Sequence, residues 1–173
     1  MKNIAILGST GSVGTQAIEV VEAHRDQFNI GLLTSNTQGD LLISQALKFK
    51  PLRVVIGDKN QYLKVKEALK NQDTEVLAGN EWISQAVQEE SIEVVLTALV
   101  GYCGLAPTIK AIEKGKVIAL ANKETLVVAG QLQRRLNRVI TAAIDRDFAA
   151  IELRAGLRLD INNTSRSVAE LGR

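Results

Sequence analysis

Gly8-Ser-Thr-Gly11-Ser-Val-Gly14, set directly behind the apolar run Asn3-Ile-Ala-Ile-Leu7, decides the reading of this chain. Strand, glycine turn and helix follow one another there, the context in which a glycine-rich loop cradles a dinucleotide phosphate. Gly8 is expected to permit the tight turn, Gly11 to let the backbone approach a pyrophosphate, and Gly14 to let the helix pack on the sheet. The first-turn N–H groups of Ser12 and Val13, aided by the helix dipole, then face the anion. The spacing is G-x-x-G-x-x-G rather than G-x-G-x-x-G, a variant associated with NADP-using folds. A glycine turn that merely joins strand to helix is the bland alternative. Three glycines in this position favour the phosphate site.

Outward from the loop, short apolar runs alternate with helix-like stretches. The further runs are Asn29-Ile-Gly-Leu-Leu33, Arg53-Val-Val-Ile56, Glu75-Val-Leu77, Glu93-Val-Val-Leu96 and Val117-Ile-Ala-Leu120. Each is short and β-branched or leucine-rich, as strands buried on both faces tend to be. Amphipathic helices are expected near 12–25, 39–49, 60–71, 80–90 and 105–115. Pro51 closes the second of these and Gly115 the last. Such alternation predicts an α/β fold, a doubly wound parallel sheet of Rossmann-like form, followed by a helical or irregular tail.

Two segments lie where such a sheet presents its ligand, at the carboxyl ends of strands. Thr34-Ser35-Asn36-Thr37-Gln38 should meet the adenosine ribose. It carries no carboxylate to repel a 2′-phosphate, which favours NADP over NAD, and no lysine or arginine either. Leu120-Ala-Asn122-Lys123-Glu124-Thr-Leu places an amide, an ammonium and a carboxylate side by side, able to bind cofactor and an anionic substrate. By itself it reads equally well as a solvated helix start with Asn122 as N-cap. Thr97–Leu105 follows the fifth strand with small residues, as close cofactor approach requires. Cys103 lacks an activating partner and reads as a core or loop thiol. His24, the only histidine, reads as an end charge on the first helix.

Composition bounds the function. The 173 residues are 46% hydrophobic and 23% charged, which excludes global disorder, and 3% aromatic, which leaves the core to Ile, Leu, Val and Ala. No apolar run is long enough to span a membrane, and the start MKNIAILGSTG lacks the pattern of a secretory signal. A single cysteine fits a reducing, cytoplasmic setting. The sequons at Asn162 and Asn163 then carry no meaning. The net charge of +2 gives no footprint for nucleic acid. All eleven lysines lie at or before Lys123, whereas eight of the ten arginines fall between Arg134 and Arg173. Either an arginine-rich final helix or a junction near Gly130–Arg134 (fusion, truncation or frame change) produces such an exchange, and the junction is the favoured expectation.

Taken together, Gly8-Ser-Thr-Gly-Ser-Val-Gly14, Ala98-Leu-Val-Gly-Tyr-Cys-Gly-Leu105 and Leu120-Ala-Asn-Lys-Glu-Thr-Leu-Val127 closely resemble the 1-deoxy-D-xylulose-5-phosphate reductoisomerase family, in order and at family-like spacing, from residue 1 to about 130. The resemblance implies an oxidoreductase and isomerase of non-mevalonate isoprenoid biosynthesis. Such an enzyme rearranges a sugar phosphate and reduces the resulting aldehyde with NADPH, assisted by Mg²⁺ or Mn²⁺, to 2-C-methyl-D-erythritol 4-phosphate. It implies a cofactor-binding domain over 1–130, with contacts in the loop Gly8–Gly14 at Thr10, Gly11, Ser12 and Val13, and further contacts at Asn36, Asn122 and Glu124. Lys123 would touch substrate.

The family often has a Gly-x-Asn-like segment after the second strand, from which Asn36-Thr-Gln38 departs. Its metal-binding Val-Asp-Ser-Glu segment aligns with Ile144-Asp145-Arg146-Asp147. Asp145 would fall on the metal-binding Asp and Asp147 would replace the Glu, with an arginine between them that tends to pair with a carboxylate itself. Residues 131–173 are accordingly expected to be a divergent tail, either a degenerate remnant of the start of the catalytic domain or, slightly favoured, a coincidental match beyond a junction, and no catalytic residue is assigned. The chain alone is expected to show negligible reductoisomerase activity. Expected partners are the sugar phosphate and, through exposed apolar surface, a second copy in a homodimer, with neither nucleic acid nor membrane. The competing reading is a nucleotide-binding regulatory or interaction module without chemistry. A different Rossmann dehydrogenase would need a catalytic Cys or Lys farther downstream.

Overall fold

A computed structural model describes residues 1–120 together with the short strands Ile151–Leu153 and Leu157–Leu159. Six parallel strands form one sheet: β1 (Lys2–Leu7), β2 (Phe28–Ser35), β3 (Arg53–Ile56), β4 (Glu75–Ala78), β5 (Val94–Thr97) and β6 (Val117–Leu120). Their spatial order is β4-β3-β2-β1-β5-β6, so the winding reverses beside β1 and opens a crevice between β1 and β5. The helices between them are α1 (Ser12–Ala23), α2 (Gly39–Phe49), α3 (Tyr62–Ala68), α4 (Ile83–Ala86) and α5 (Leu105–Glu113). The later strands β7 (Ile151–Leu153) and β8 (Leu157–Leu159) pair antiparallel with each other.

The two-residue period of the strands sorts their side chains onto two faces. Ile4, Ile6, Val54, Ile56, Val94 and Leu96 join α1, α2 and α3 residues such as Ile18, Leu42 and Val65 in one core. Ala5, Leu7, Val55, Val95, Ile118 and Leu120 join Ile83 and Ala86 of α4 and Ile112 of α5 in the other. Each fully buried Leu or Ile contributes roughly 1.5–3 kcal/mol, so both faces must be covered for the sheet to persist. In β2 the register slips at Gly31: Ile30 pairs with Ile4 and Leu32 with Ala5. The slip turns Ile30 and Leu33 onto one face with Leu32 on the other.

Several expected boundaries move for physical reasons. The edge strand β4 is only half-buried rather than covered on both faces. Where 60–71 and 80–90 read as helices, each begins with a 3-10 turn, at Lys59–Gln61 and Asn80–Trp82, and ends early. After Val87 the backbone switches to i→i−3 bonds, Gln88 N–H to Gln85 O and Glu89 N–H to Ala86 O, tightening the chain into β5. α2 stops at Phe49 as expected. Lys50 takes the left-handed conformation (φ 48°) ahead of Pro51, which disfavours helix in the residue before it. At the amino ends of the strands Arg53 pairs with both Glu75 and Glu89, which together hold its guanidinium pKa above the usual value. The buried Lys116 donates to the carbonyls of Glu89 and Glu90, 2.7 and 3.3 Å away, satisfying the end of that turn. Among the described residues no helix is long and apolar enough to cross a membrane.

Candidate functional site

The carboxyl ends of β1, β2, β4 and β5 surround an open cleft of about 290 Å³. Its floor is the loop after β1, with Gly8, Thr10 and Gly11 exposed to it. Asn36 and Gln38 border it beyond β2, Asn80 beyond β4, and Ala98–Val100 beyond β5.

The loop is held by backbone geometry and by its neighbours. Gly8 has φ +82°, and a Cβ there would stand 2.9 Å from the Ala98 carbonyl oxygen, so the end of β5 lies directly against it. A methyl on Gly14 would stand 2.6 Å from Ser9 Cα and closer still to the Gly8 carbonyl oxygen. Gly14 therefore lets the first turn of α1 lie directly against the backbone that leaves β1. Gly11 is different. It has φ −78°, and a Cβ there would meet only Gly8 O, at an ordinary 3.5 Å. No packing contact among the described residues requires glycine at 11.

Hydrogen bonds fix the loop to β2 and α2. Gly8 N–H donates to Thr34 Oγ1 (2.8 Å) and Ser9 N–H to Thr34 O (2.8 Å). Thr10 Oγ1 lies 2.8 Å from Ser35 Oγ, which also accepts from Gln38 N–H at 3.2 Å. Thr34 and Ser35, read from sequence as ribose contacts, are buried at 1% and 3% exposure, with their hydroxyls spent on the loop. Asn36, Thr37 and Gln38 remain at the cleft. Sequence reasoning missed Ser9 and Gln45. The buried Gln45 amide reaches across from α2, accepting from Ser9 Oγ at 2.7 Å and donating to Ser9 O at 2.9 Å. A polar residue spaced at i+3 and i+4 from buried Leu42 and Phe49 was the available signal. Replacing Ser9 by alanine is expected to leave Gln45 Oε1 buried without a donor, at about 1–3 kcal/mol. Thermal denaturation should show Tm lower by roughly 2–12 °C, and an unchanged Tm would contradict the bracing role.

α1 begins at Ser12 with Gly11 as N-cap, and no side chain caps its first turn. The N–H groups of Ser12 and Val13 thus sit at the positive end of a 12-residue helix beside the cleft. His24 lies just past the other end of α1, exposed, its N–H donating to Val20 O and Val21 O. Cys103, exposed in the 3-10 turn Gly101–Gly104, is a loop thiol at the cleft rather than a core one. Asn80 and Ile83 also border the cleft, and their place after the edge strand carried no motif to mark them. Asn122, Lys123, Glu124, Asp145 and Asp147 lie outside the described residues. Among the described residues, no cluster of His, Cys, Asp or Glu could hold a metal ion.

A family model described as 1-deoxy-D-xylulose 5-phosphate reductoisomerase matches residues 4–130. The chain is 56% identical to the 1-deoxy-D-xylulose 5-phosphate reductoisomerase of Phocaeicola vulgatus over 153 residues, covering 87% of this chain and 40% of that protein. It is 42% identical to the protein of the same name from Clostridium tetani, covering 94% of this chain and 44% of that one. Coverage of 87% or more cannot fit inside residues 1–130, so similarity to these relatives continues past the family-model match. Among solved structures, the fold resembles the reductoisomerase from Zymomonas mobilis in complex with NADPH, with a TM-score of 0.77 and 33% identity over 87% of this chain and 40% of that one. The chain spans about two fifths of the length of the relatives it matches.

Proposed function

The chain belongs to the 1-deoxy-D-xylulose 5-phosphate reductoisomerase family, and on that premise we propose that residues 1–130 are the NADPH-binding domain of such an enzyme. The observation that carries this reading is the preformed loop Gly8–Gly14, pinned to β2 and β5 and opening onto an uncapped helix start. The backbone amides from Thr10 to Val13 would hold the pyrophosphate, and Asn36 would reach the adenosine ribose. Asn122 and Glu124 would complete the cofactor site, with Lys123 turned toward the phosphorylated substrate. When bound, NADPH supplies the hydride that reduces the rearranged aldehyde.

The chain's own contribution is positional. The loop fixes one end of the dinucleotide, and the small residues Ala98 and Gly101 beyond β5 leave room for the rest to lie close to the backbone. Asp145 and Asp147 are the proposed ligands for Mg²⁺ or Mn²⁺, and residues 131–173 the proposed start of a catalytic domain. The sugar phosphate as substrate, a homodimeric state and a cytoplasmic location belong to the same proposal.

Calorimetric titration of the full chain with NADPH, and with NADH in parallel, tests it. NADPH is expected to bind at least about tenfold more tightly than NADH, a difference of ~1.4 kcal/mol. Binding of neither dinucleotide would overturn the assignment.

A further inference from the structure

The stretch after β2, Asn36-Thr37-Gln38, contains no cation, yet a 2′-phosphate at this end of a dinucleotide calls for one. The fold supplies one from the next strand. β2 and β3 pair with Ser35 opposite Ile56, and the ladder continues beyond both strands. Gly57 N–H donates to Ser35 O at 2.8 Å and Asp58 N–H to Asn36 O at 2.7 Å, so residue 59 emerges immediately beside Asn36. Asp58 Oδ1 accepts from both Asn60 N–H and Asn60 Nδ2, each at 2.9 Å, which ties that oxygen to the turn after β3.

Asn36 and Asn80 converge over Gly57. A Cβ on Gly57 would stand 2.7 Å from Asn80 Oδ1 and closer still to Asn36 Oδ1. Both amides border the cleft. Next to Asn80 is Glu81, whose carboxylate takes Lys59 Nζ at 2.7 Å with both side chains more than half exposed. The Lys59 ammonium, helped by Glu81's own backbone N–H, holds that carboxyl below its ordinary pKa. An ion pair this exposed has little net stability, so an incoming dianion can displace the carboxylate at small cost.

We propose that Lys59 is a specificity-determining residue for the cofactor, releasing Glu81 to bind the 2′-phosphate beside the Asn36 and Asn80 amides. This rests on the NADPH reading above. Glu81 is then the resting counter-ion, and its negative charge acts against any dinucleotide that brings no phosphate to replace it. Lys64, another cation on this side of the sheet, is held by Asp40 on α2 at 2.7 Å and is assigned no such part.

The test is titration of the full chain and three variants with NADPH and NADH, repeated with adenosine 2′,5′-bisphosphate and 5′-AMP. Lys59→Gln is expected to weaken NADPH and the bisphosphate about tenfold while leaving NADH and 5′-AMP within about twofold. Glu81→Gln is expected to tighten NADPH a few-fold, and Lys64→Gln to leave the NADPH-to-NADH ratio unchanged. Equal weakening of both dinucleotides by Lys59→Gln, or no weakening, overturns the role of Lys59 while the cofactor reading stands on the unsubstituted chain. If that chain binds neither dinucleotide, both fall together.

Discussion

Gly14→Ala is expected to lower the melting temperature by about 6–12 °C and to abolish measurable NADPH binding. The added methyl would fall within 2.6 Å of Ser9 Cα and nearer still to the Gly8 carbonyl oxygen. Both obstacles are backbone, so no side chain can rotate away to make room. Overpacking of this kind costs about 3 kcal/mol or more, and a chain of this length loses roughly 2–4 °C per kcal/mol. The only relief is to move the start of α1 away from the turn, which displaces the Ser12 and Val13 amides from the cleft. Thermal unfolding and calorimetry on the same sample check both halves. A variant with native Tm and native affinity would show that the loop is not packed as described.

Gly11→Ala separates the two uses of glycine in the same loop. Here the new Cβ meets only Gly8 O at 3.5 Å, and φ −78° is open to any residue, so Tm is expected to stay within about 2 °C. NADPH affinity is nonetheless expected to fall by at least about tenfold, because the methyl would occupy the space through which a pyrophosphate approaches the backbone. Unchanged affinity would mean that the phosphates lie elsewhere. Loss of stability as large as that of Gly14→Ala would mean that Gly11 is a packing residue after all.

The alternation of apolar runs was enough to read six parallel strands and their connecting helices, because the inner strands, buried on both faces, write themselves as continuous Val, Ile and Leu and the half-buried β4 keeps the same spacing. The loop was legible for a similar reason: glycine is required where backbone meets backbone, and Gly8 and Gly14 meet it. What the sequence did not disclose was side-chain bracing over long separations. Ser9 and Gln45 stand 36 residues apart, and no periodicity links a buried serine to a helix amide on another element. The same holds for Thr34, which reads as a ribose contact by position but is spent on Gly8 N–H. The 3-10 starts at Lys59–Gln61 and Asn80–Trp82 were also hidden, since amphipathic spacing does not distinguish a full helix from a short one begun tightly.

At the far side of the sheet, β4 carries a row of backbone donors and acceptors that no strand among the described residues satisfies on its outer side. Such a row is a template onto which another chain could add, and a protein held at high concentration is exposed to that hazard. Three features blunt it. The strand is four residues long, too short to offer many new bonds, and Glu75 carries a charge at its exposed end. Arg53 pairs that carboxylate and secures it to β3, making the border of the sheet a polar hem instead of an adhesive strip.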